Sequence, residues 1–263
     1  MSADPLSTPT PTPVHTDTID LQMRHRTIRA YADTPVSEDQ MTTLLEVARA
    51  TATTAFLQQF TIIHIRDHAI RQRIAAVTGQ PYVGGDRAEL LIFVADLYRN
   101  AQIRAEGGLD DEPLGRINLF MQAMYDTCLA AQNVVVAAES MGLGTTYLGS
   151  INTDPREVIA ALNLPRLTYP IFGLLVGHPA QDPQFKPRLP LAVTTGVDTY
   201  PFVDSYEDTL AEYDEVVQHY YDLRDTSSPI PSFTRRIRQA LGTGGSETSP
   251  ILEILHEQGL ALR

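Results

Sequence analysis

Two hydrophobic patterns alternate along the chain. Continuous apolar runs at residues 90–95 and 170–177 are typical of strands buried on both faces. Apolar residues at helical spacing, such as Met41, Leu44 and Ala48, predict amphipathic helices. Further strands are predicted at residues 60–65 and 145–149. Because strands and helices are interleaved, the pattern favours an α/β or α+β fold.

The longest apolar segment is predicted to form a helix from residue 114 to residue 141, ending at Gly142. Its apolar residues leave no clear polar face, so we expect it to lie in the core, in a subunit interface, or in both. Cys128 is within this segment and is predicted to be a small buried core residue. As the single cysteine it has no partner for an internal disulfide, which fits a cytoplasmic protein.

Composition excludes several classes of function. The formal net charge is −12 at pH 7, which argues against nucleic acid and anionic membranes as partners. No apolar run is long enough to predict a membrane span, and no signal peptide is evident. Residues 1–16 contain a Thr-Pro repeat and are predicted to be a disordered tail, followed by one ordered domain over residues 17–263.

Common nucleotide and metal motifs are not supported by the sequence. Gly142-Leu143-Gly144 precedes a predicted strand and lacks the third glycine of a dinucleotide-binding fingerprint. The lone lysine is not in a glycine-rich loop, so no P-loop is predicted. His64 and His68 are poorly placed to share a metal ion, and no metal site is predicted.

Two basic clusters stand out in this acidic chain. The first is residues 24–29, which contain three arginines and His25, and the second surrounds Lys186 and Arg188. Lys186 is the only lysine in the sequence. Either cluster alone is explained by a solvated surface or by helix C-terminal charges. Together they predict a site for an anion, of which phosphate is the natural example.

The order of several segments resembles the nitroreductase family, and more closely its NADPH-dependent oxygen-insensitive nitroreductases and flavin reductases. Each segment is weakly specific alone, and the shared order from about residue 18 to the C-terminus carries the resemblance. The segments are residues 25–29, 50–58, 88–96, 131–133, 137–144, 147–149 and 186–190.

This resemblance implies an α+β fold with a mixed sheet flanked by helices and the long helix at a homodimer interface. It also implies non-covalent FMN, reduction by NADPH or NADH, and two-electron ping-pong transfer to nitroaromatics, quinones or free flavin. No protein side chain is then needed as a catalytic residue. Two alternatives remain: a flavin-binding sensor or storage protein with little reductase activity, and a phosphate-ligand domain without flavin.

The resemblance also implies which residues bind the cofactor. The expected contacts to the phosphate and ribityl chain are His25, Arg26, Thr27 and Arg29, together with the Thr53 hydroxyl and Arg188. Those expected at the ring system are Gln80, Lys186 at the pyrimidine edge, and the strand end formed by Tyr147, Leu148, Gly149 and Ser150.

Arg224 matches an arginine that relatives use for the 2′-phosphate of NADPH. Relatives carry further arginines shortly after this position, whereas residues 225–231 of this chain contain none. The expected preference for NADPH is therefore weaker than in relatives, and NADH is expected to compete.

Overall fold

A four-stranded sheet organises the computed structural model, which describes residues 14–220, 231–242 and 249–263. The strand order is β1-β2-β4-β3. The strands are β1 Phe60–Ile65, β2 Glu89–Asp96, β3 Gly144–Leu148 and β4 Thr168–Gly177. All four were predicted from the sequence, with ends that differ by at most two residues.

Eleven α-helices surround the sheet within the described residues. They are α1 Asp17–Met23, α2 Glu38–Arg49, α3 His68–Thr78, α4 Tyr98–Glu106, α5 Ile117–Ser140, α6 Pro155–Ala161, α7 Leu191–Thr194, α8 Tyr206–Thr209, α9 Ala211–Gln218, α10 Phe233–Gly242 and α11 Ile251–Glu257. Over these parts of the chain, no helix is both long and apolar enough to cross a membrane.

Alternate residues of β2 pack into cores on opposite faces of the sheet. Leu91 and Phe93 pack with residues of α2 and α5. Leu90 and Ile92 pack on the other face with Ile74 of α3 and Val158 of α6. This two-residue alternation, with both faces covered, explains why the strand is continuously apolar.

The mixed sheet implied by the resemblance needs a correction. Each pair of neighbouring strands is antiparallel. Among the described residues, the parallel component is an isolated bridge between Thr27 and Thr145, outside the four strands. The α+β class is confirmed, because the helices are combined with an antiparallel sheet and not with the parallel sheet of an α/β fold.

The long helix is shorter at its start than predicted, because residues 112–115 form a separate 3₁₀ turn that contains Pro113. It ends as expected at Gly142, whose φ of 76° is a left-handed value that glycine adopts without a steric penalty. α2 also begins as its sequence suggests, with Ser37 and Gln40 forming a reciprocal capping box.

One face of α5 is buried and the opposite face exposes apolar side chains. Ile117, Met121, Tyr125 and Leu129 are exposed at four-residue intervals, which aligns them along the helix. Cys128 lies on this exposed face, so the prediction that it is a core residue was wrong. The helical phase explains the error, because Cys128 turns away from the sheet while its neighbours Thr127 and Ala130 turn toward it.

Gly144, at the start of β3, permits the close approach of the segment that carries the first basic cluster. A Cβ at this position would lie 2.4 Å from Cγ1 of Ile28. We expect Gly144→Ala to lower the free energy of unfolding by about 1–3 kcal/mol, because neither backbone can move without disturbing the core. Denaturant unfolding of the variant measures this loss.

The matched control for this variant is Gly85→Ala. A Cβ at Gly85 would lie 3.8 Å from the nearest atom, the carbonyl oxygen of Tyr82, so its stability should be nearly unchanged. Equal stability of the two variants would contradict the steric argument.

Candidate functional site

Sheet topology brings the two basic clusters together. The first cluster follows α1 and runs beside β3, where the Ile28 amide donates to the Thr145 carbonyl at 2.9 Å. The second lies in the segment that leaves β4, and β4 is the hydrogen-bonded neighbour of β3. The Ala180 amide donates to the Ala30 carbonyl at 2.9 Å and ties the two segments to each other.

The two segments form one cleft that is lined mainly by hydrogen-bond donors. Its lining residues are His25, Arg26, Thr27, Arg29, Pro183, Gln184, Lys186, Arg188 and Tyr220. Six of the residues predicted to bind a cofactor are in this set, and they come from positions more than 150 apart in the chain. Four guanidinium or ammonium groups and one imidazole around one cleft suit a phosphate group.

Arg26 connects the first basic segment to the second across the cleft. Its Nη1 donates to a carboxylate oxygen of Asp182 and, at 3.0 Å, to the carbonyl oxygen of Pro183. Its guanidinium carbon lies 4.2 Å from the centroid of the Phe185 ring. No hydrogen bond to another described residue uses Nε or Nη2 of Arg26, and both atoms are donors of the kind that bind anions.

The other cations differ in how far their donors are engaged. The half-buried Arg29 has no hydrogen bond or ion pair with any residue in the described ranges. His25 places Nδ1 2.6 Å from a carboxylate oxygen of Glu139, which is itself largely buried. This contact fixes the ring and leaves Nε2 as its other polar atom. Arg188 donates from Nη1 to the carbonyl of Lys186 at 2.7 Å.

Two further predicted residues meet at the other end of β3. Gln80 donates from Nε2 to the Ser150 hydroxyl at 3.1 Å. Ser150 belongs to the 3₁₀ turn that follows Leu148 and begins at Gly149. β3 therefore joins the basic cleft, near Thr145, to this polar pair.

Tyr147 points from β3 toward α5, where its hydroxyl lies 3.3 Å from Oε1 of Gln132. Its ring packs edge-on against Phe172, with centroids 5.1 Å apart. Burial raises the pKa of the Tyr147 phenol above its ordinary value, so the group stays protonated and donates to Gln132.

Thr53 precedes a strained turn held by a buried carboxylate. Ala55, Phe56 and Gln58 have φ values of 50°, 59° and 51°, which are unfavourable for residues with a Cβ. Asp126, fully buried on α5, accepts hydrogen bonds from the Thr54 amide at 2.7 Å and from the Gln59 amide at 3.2 Å.

Some predicted residues do not join the basic cleft. Its lining residues do not include Thr53, Gln80, Tyr147, Leu148, Gly149 or Ser150, and their contact with a cofactor stays a prediction. Arg224 lies outside the described residues, as does most of the predicted tail. Thr16, the last residue of that tail, caps α1 by accepting from the Ile19 amide at 3.2 Å.

Sequence reasoning missed several residues of the site. Asp182, Phe185 and Tyr220 were given no role, although the first two lie close to Lys186 in sequence. Glu139 belongs to one of the segments that carry the resemblance, but no local pattern pairs it with His25, 114 positions away. Only the packing of α5 against the first cluster brings these two residues together.

The antiparallel sheet and the surrounding helices define an α+β protein with a cationic cleft, and comparison with known proteins identifies its family. The nitroreductase family model matches residues 23–178, and the model of that family's C-terminal domain matches residues 186–263. The chain belongs to the nitroreductase family, which confirms the resemblance.

Individual relatives cover nearly the whole chain. The oxygen-insensitive NADPH nitroreductase of Salmonella typhimurium is 37% identical over 94% of this chain and 99% of its own length. The FMN reductase (NADPH) of Bacillus subtilis is 36% identical over 78% of this chain and 83% of its own. The structure of NADPH:FMN oxidoreductase from Vibrio harveyi, complexed with NAD+, superposes with a TM-score of 0.82 at 31% identity, covering 94% and 100% of the two chains.

Proposed function

We propose that this protein is an FMN-dependent NADPH oxidoreductase that reduces nitroaromatics, quinones or free flavin by a two-electron ping-pong mechanism. The observation that carries the proposal is the single cleft formed by the two basic clusters, whose donors suit the phosphate of FMN. The activities named for the Salmonella typhimurium and Bacillus subtilis relatives support the same reaction.

In this proposal the side chains bind and orient, and none acts as a nucleophile. Arg26 and Arg29 hold the phosphate with donors that no other described residue engages, and His25 is oriented for the same group by Glu139. Lys186 lies at the other side of the cleft, where a cation would stabilise negative charge at the pyrimidine edge. FMN, when bound, supplies the hydride and electron transfer between NADPH and the acceptor.

The exposed apolar stripe of α5 supports a homodimer. We propose that Ile117, Met121, Tyr125 and Leu129 pack against a second copy of the chain, because a row of this kind on a long helix gains stability when it is covered. The cofactor then lies between the two subunits, near the α5 residues that contact Tyr147 and the turn at Thr53.

We also propose that the reaction takes place in the cytoplasm. The proposed reductant is NADPH, and the single cysteine of the chain has no partner for an internal disulfide. Arg224 is proposed to contact the 2′-phosphate of NADPH, as the resemblance implies.

The decisive experiment uses the purified full-length protein saturated with FMN. We expect a yellow protein that retains FMN through gel filtration and elutes as a dimer. Its flavin absorbance should bleach with NADPH under anaerobic conditions and return on addition of a quinone or nitroaromatic. Anaerobic stopped-flow absorbance measures both half-reactions.

Other outcomes identify the alternatives. A yellow protein that neither NADPH nor NADH bleaches would indicate a flavin-binding sensor or storage protein. A colourless protein that binds a sugar phosphate but not added FMN would indicate a phosphate-ligand domain. Either result would contradict the proposed reductase.

A further inference from the structure

His25, which lines the basic cleft, forms a titratable pair with Glu139 of α5. The two members differ in exposure: 32% of the His25 side chain is exposed, but only 12% of the Glu139 side chain. Within the described ranges, His25 is the one hydrogen-bond partner of the Glu139 carboxylate. A carboxylate with so little access to water is stabilised by a positive partner, so the pair favours the imidazolium form of His25.

The same contact decides which nitrogen of His25 can face a ligand. Nδ1 lies 2.6 Å from the Glu139 carboxylate, which only accepts hydrogen bonds when ionised, so Nδ1 carries a proton. Nε2 has no partner among the residues that the structure describes. In the neutral ring Nε2 would present a lone pair and repel a phosphate oxygen. In the imidazolium it carries a proton and donates to that oxygen.

The cations around the cleft oppose an additional positive charge on His25. The cationic side chains that line the cleft with it are Arg26, Arg29, Lys186 and Arg188. Asp182 is paired with Arg26, so Glu139 is the carboxylate that counters these cations at His25. A phosphate shifts this balance, because its charge of about −2 favours the proton on Nε2.

Other titratable groups near the pair keep their charge between about pH 7 and pH 9. Burial raises the pKa of the Tyr147 phenol, and Cys128 and Glu139 add to this rise. Burial also raises the pKa of the Cys128 thiol. Tyr220 lines the cleft, and phenols ordinarily lose their proton near pH 10, as lysine side chains do. A proton taken up in this range is therefore assigned to His25.

We propose that His25 contacts the flavin phosphate as an imidazolium that takes up its Nε2 proton from solvent on binding, and that Glu139 is the positioning residue for this donor. The inference rests on the proposed function and deepens it by linking retention of FMN to pH. Because binding takes up a proton, the affinity for FMN falls as the pH rises. No covalent bond forms or breaks, and the proton returns to solvent on release.

Titration of the full-length apo protein with FMN and with riboflavin tests this link. Riboflavin has the same ring system and no phosphate, so its affinity should not depend on Glu139. The FMN phosphate is a dianion well above pH 6, so the loss of FMN affinity between about pH 7 and pH 9 does not come from the ligand. Calorimetry in two buffers of different ionisation enthalpy should show uptake of a fraction of a proton per FMN over this range.

Glu139→Gln keeps the shape of the side chain and an oxygen that accepts from Nδ1, but it removes the charge. We expect FMN to bind about tenfold more weakly at about pH 8, and its affinity to start falling at a lower pH than in the unmodified protein. His25→Gln should abolish the proton uptake. In a double-mutant cycle, Glu139→Gln should have little further effect on FMN affinity once His25 is replaced.

Ser140→Ala is the matched control for Glu139→Gln. Ser140 is the exposed neighbour of Glu139 on α5, and its hydroxyl donates to the Ala137 carbonyl at 2.7 Å instead of contacting His25. The pH profile of its FMN affinity should match that of the unmodified protein. An unchanged riboflavin affinity in Glu139→Gln would show that the flavin site remains folded.

The outcomes separate the inference from the proposed function. Additive losses in the double-mutant cycle, equal losses for FMN and riboflavin in Glu139→Gln, or FMN binding without proton uptake would overturn the inference even if NADPH bleaches the flavin. Proton-linked FMN binding by a protein that neither NADPH nor NADH bleaches would instead overturn the proposed reductase.

Discussion

Arg26→Ala is expected to weaken FMN binding by about a hundredfold or more. The substitution removes Nε and Nη2 of Arg26 from the cleft, which no other described residue engages, and each charge-assisted hydrogen bond to a phosphate contributes about 1.5–3 kcal/mol. It also removes the contacts of Arg26 with Asp182, Pro183 and the Phe185 ring, which hold the second basic segment against the first. Titration of the apo protein with FMN, followed by flavin fluorescence, measures the dissociation constant.

Arg24→Ala is the matched control for this experiment. Arg24 is an exposed neighbour in the same cluster, and its Nε donates to the Asp20 carbonyl at 3.0 Å instead of lining the cleft. Its FMN affinity should be unchanged. Arg26→Lys should fall between the two, because lysine keeps the charge and loses the planar fork. An Arg26→Ala variant with unmodified affinity would show that the phosphate binds elsewhere.

Asp126→Ala is expected to lower the free energy of unfolding by about 2–4 kcal/mol. The amides of Thr54 and Gln59 would lose a buried acceptor, and each unsatisfied group costs about 1–3 kcal/mol. Removing a buried carboxylate offsets part of this loss. The left-handed residues of the turn would then relax, so Thr53 should also lose its position. Guanidinium unfolding of the apo protein, followed by circular dichroism, measures the change.

Asn133→Ala provides the comparison, because Asn133 also joins α5 to this part of the chain. Its Nδ2 donates to the Thr51 hydroxyl at 2.7 Å, but the contact is exposed to solvent. We expect its stability to change by less than about 1 kcal/mol. A similar loss in both variants would indicate that the turn depends on general contacts with α5 and not on the buried carboxylate.

Local elements were largely predictable from short stretches of sequence. The apolar run in β2 reflects two faces that are both covered, and the Ser37 capping box depends on residues only three positions apart. These signals lie within short stretches of sequence because helix capping and the alternation of side chains along a strand depend on residues only a few positions apart. The exposed position of Cys128 was missed because polarity does not mark the outer face of this helix: Asp126 is buried, whereas Leu129 is exposed.

The site itself was only partly predictable. Charge contrast identified both basic clusters, since arginines and a single lysine are conspicuous in a chain with a net charge of −12. The pairing of His25 with Glu139 and the support of the Thr53 turn by Asp126 were not predicted. Each joins residues 67 or more positions apart, and no spacing rule operates over that distance.

By itself the sequence determined the strands, the start of α2 and the end of α5, the family resemblance and the two groups of cations. Only the tertiary structure decided that these cations line one cleft, because their meeting depends on β3 and β4 being neighbours in the sheet. It also decided which cations have no partner among the residues that the structure describes, as at Arg29. Side chains that are far apart in sequence meet only through the packing of the whole fold. The free energy of that fold, and not a local preference, selects these contacts.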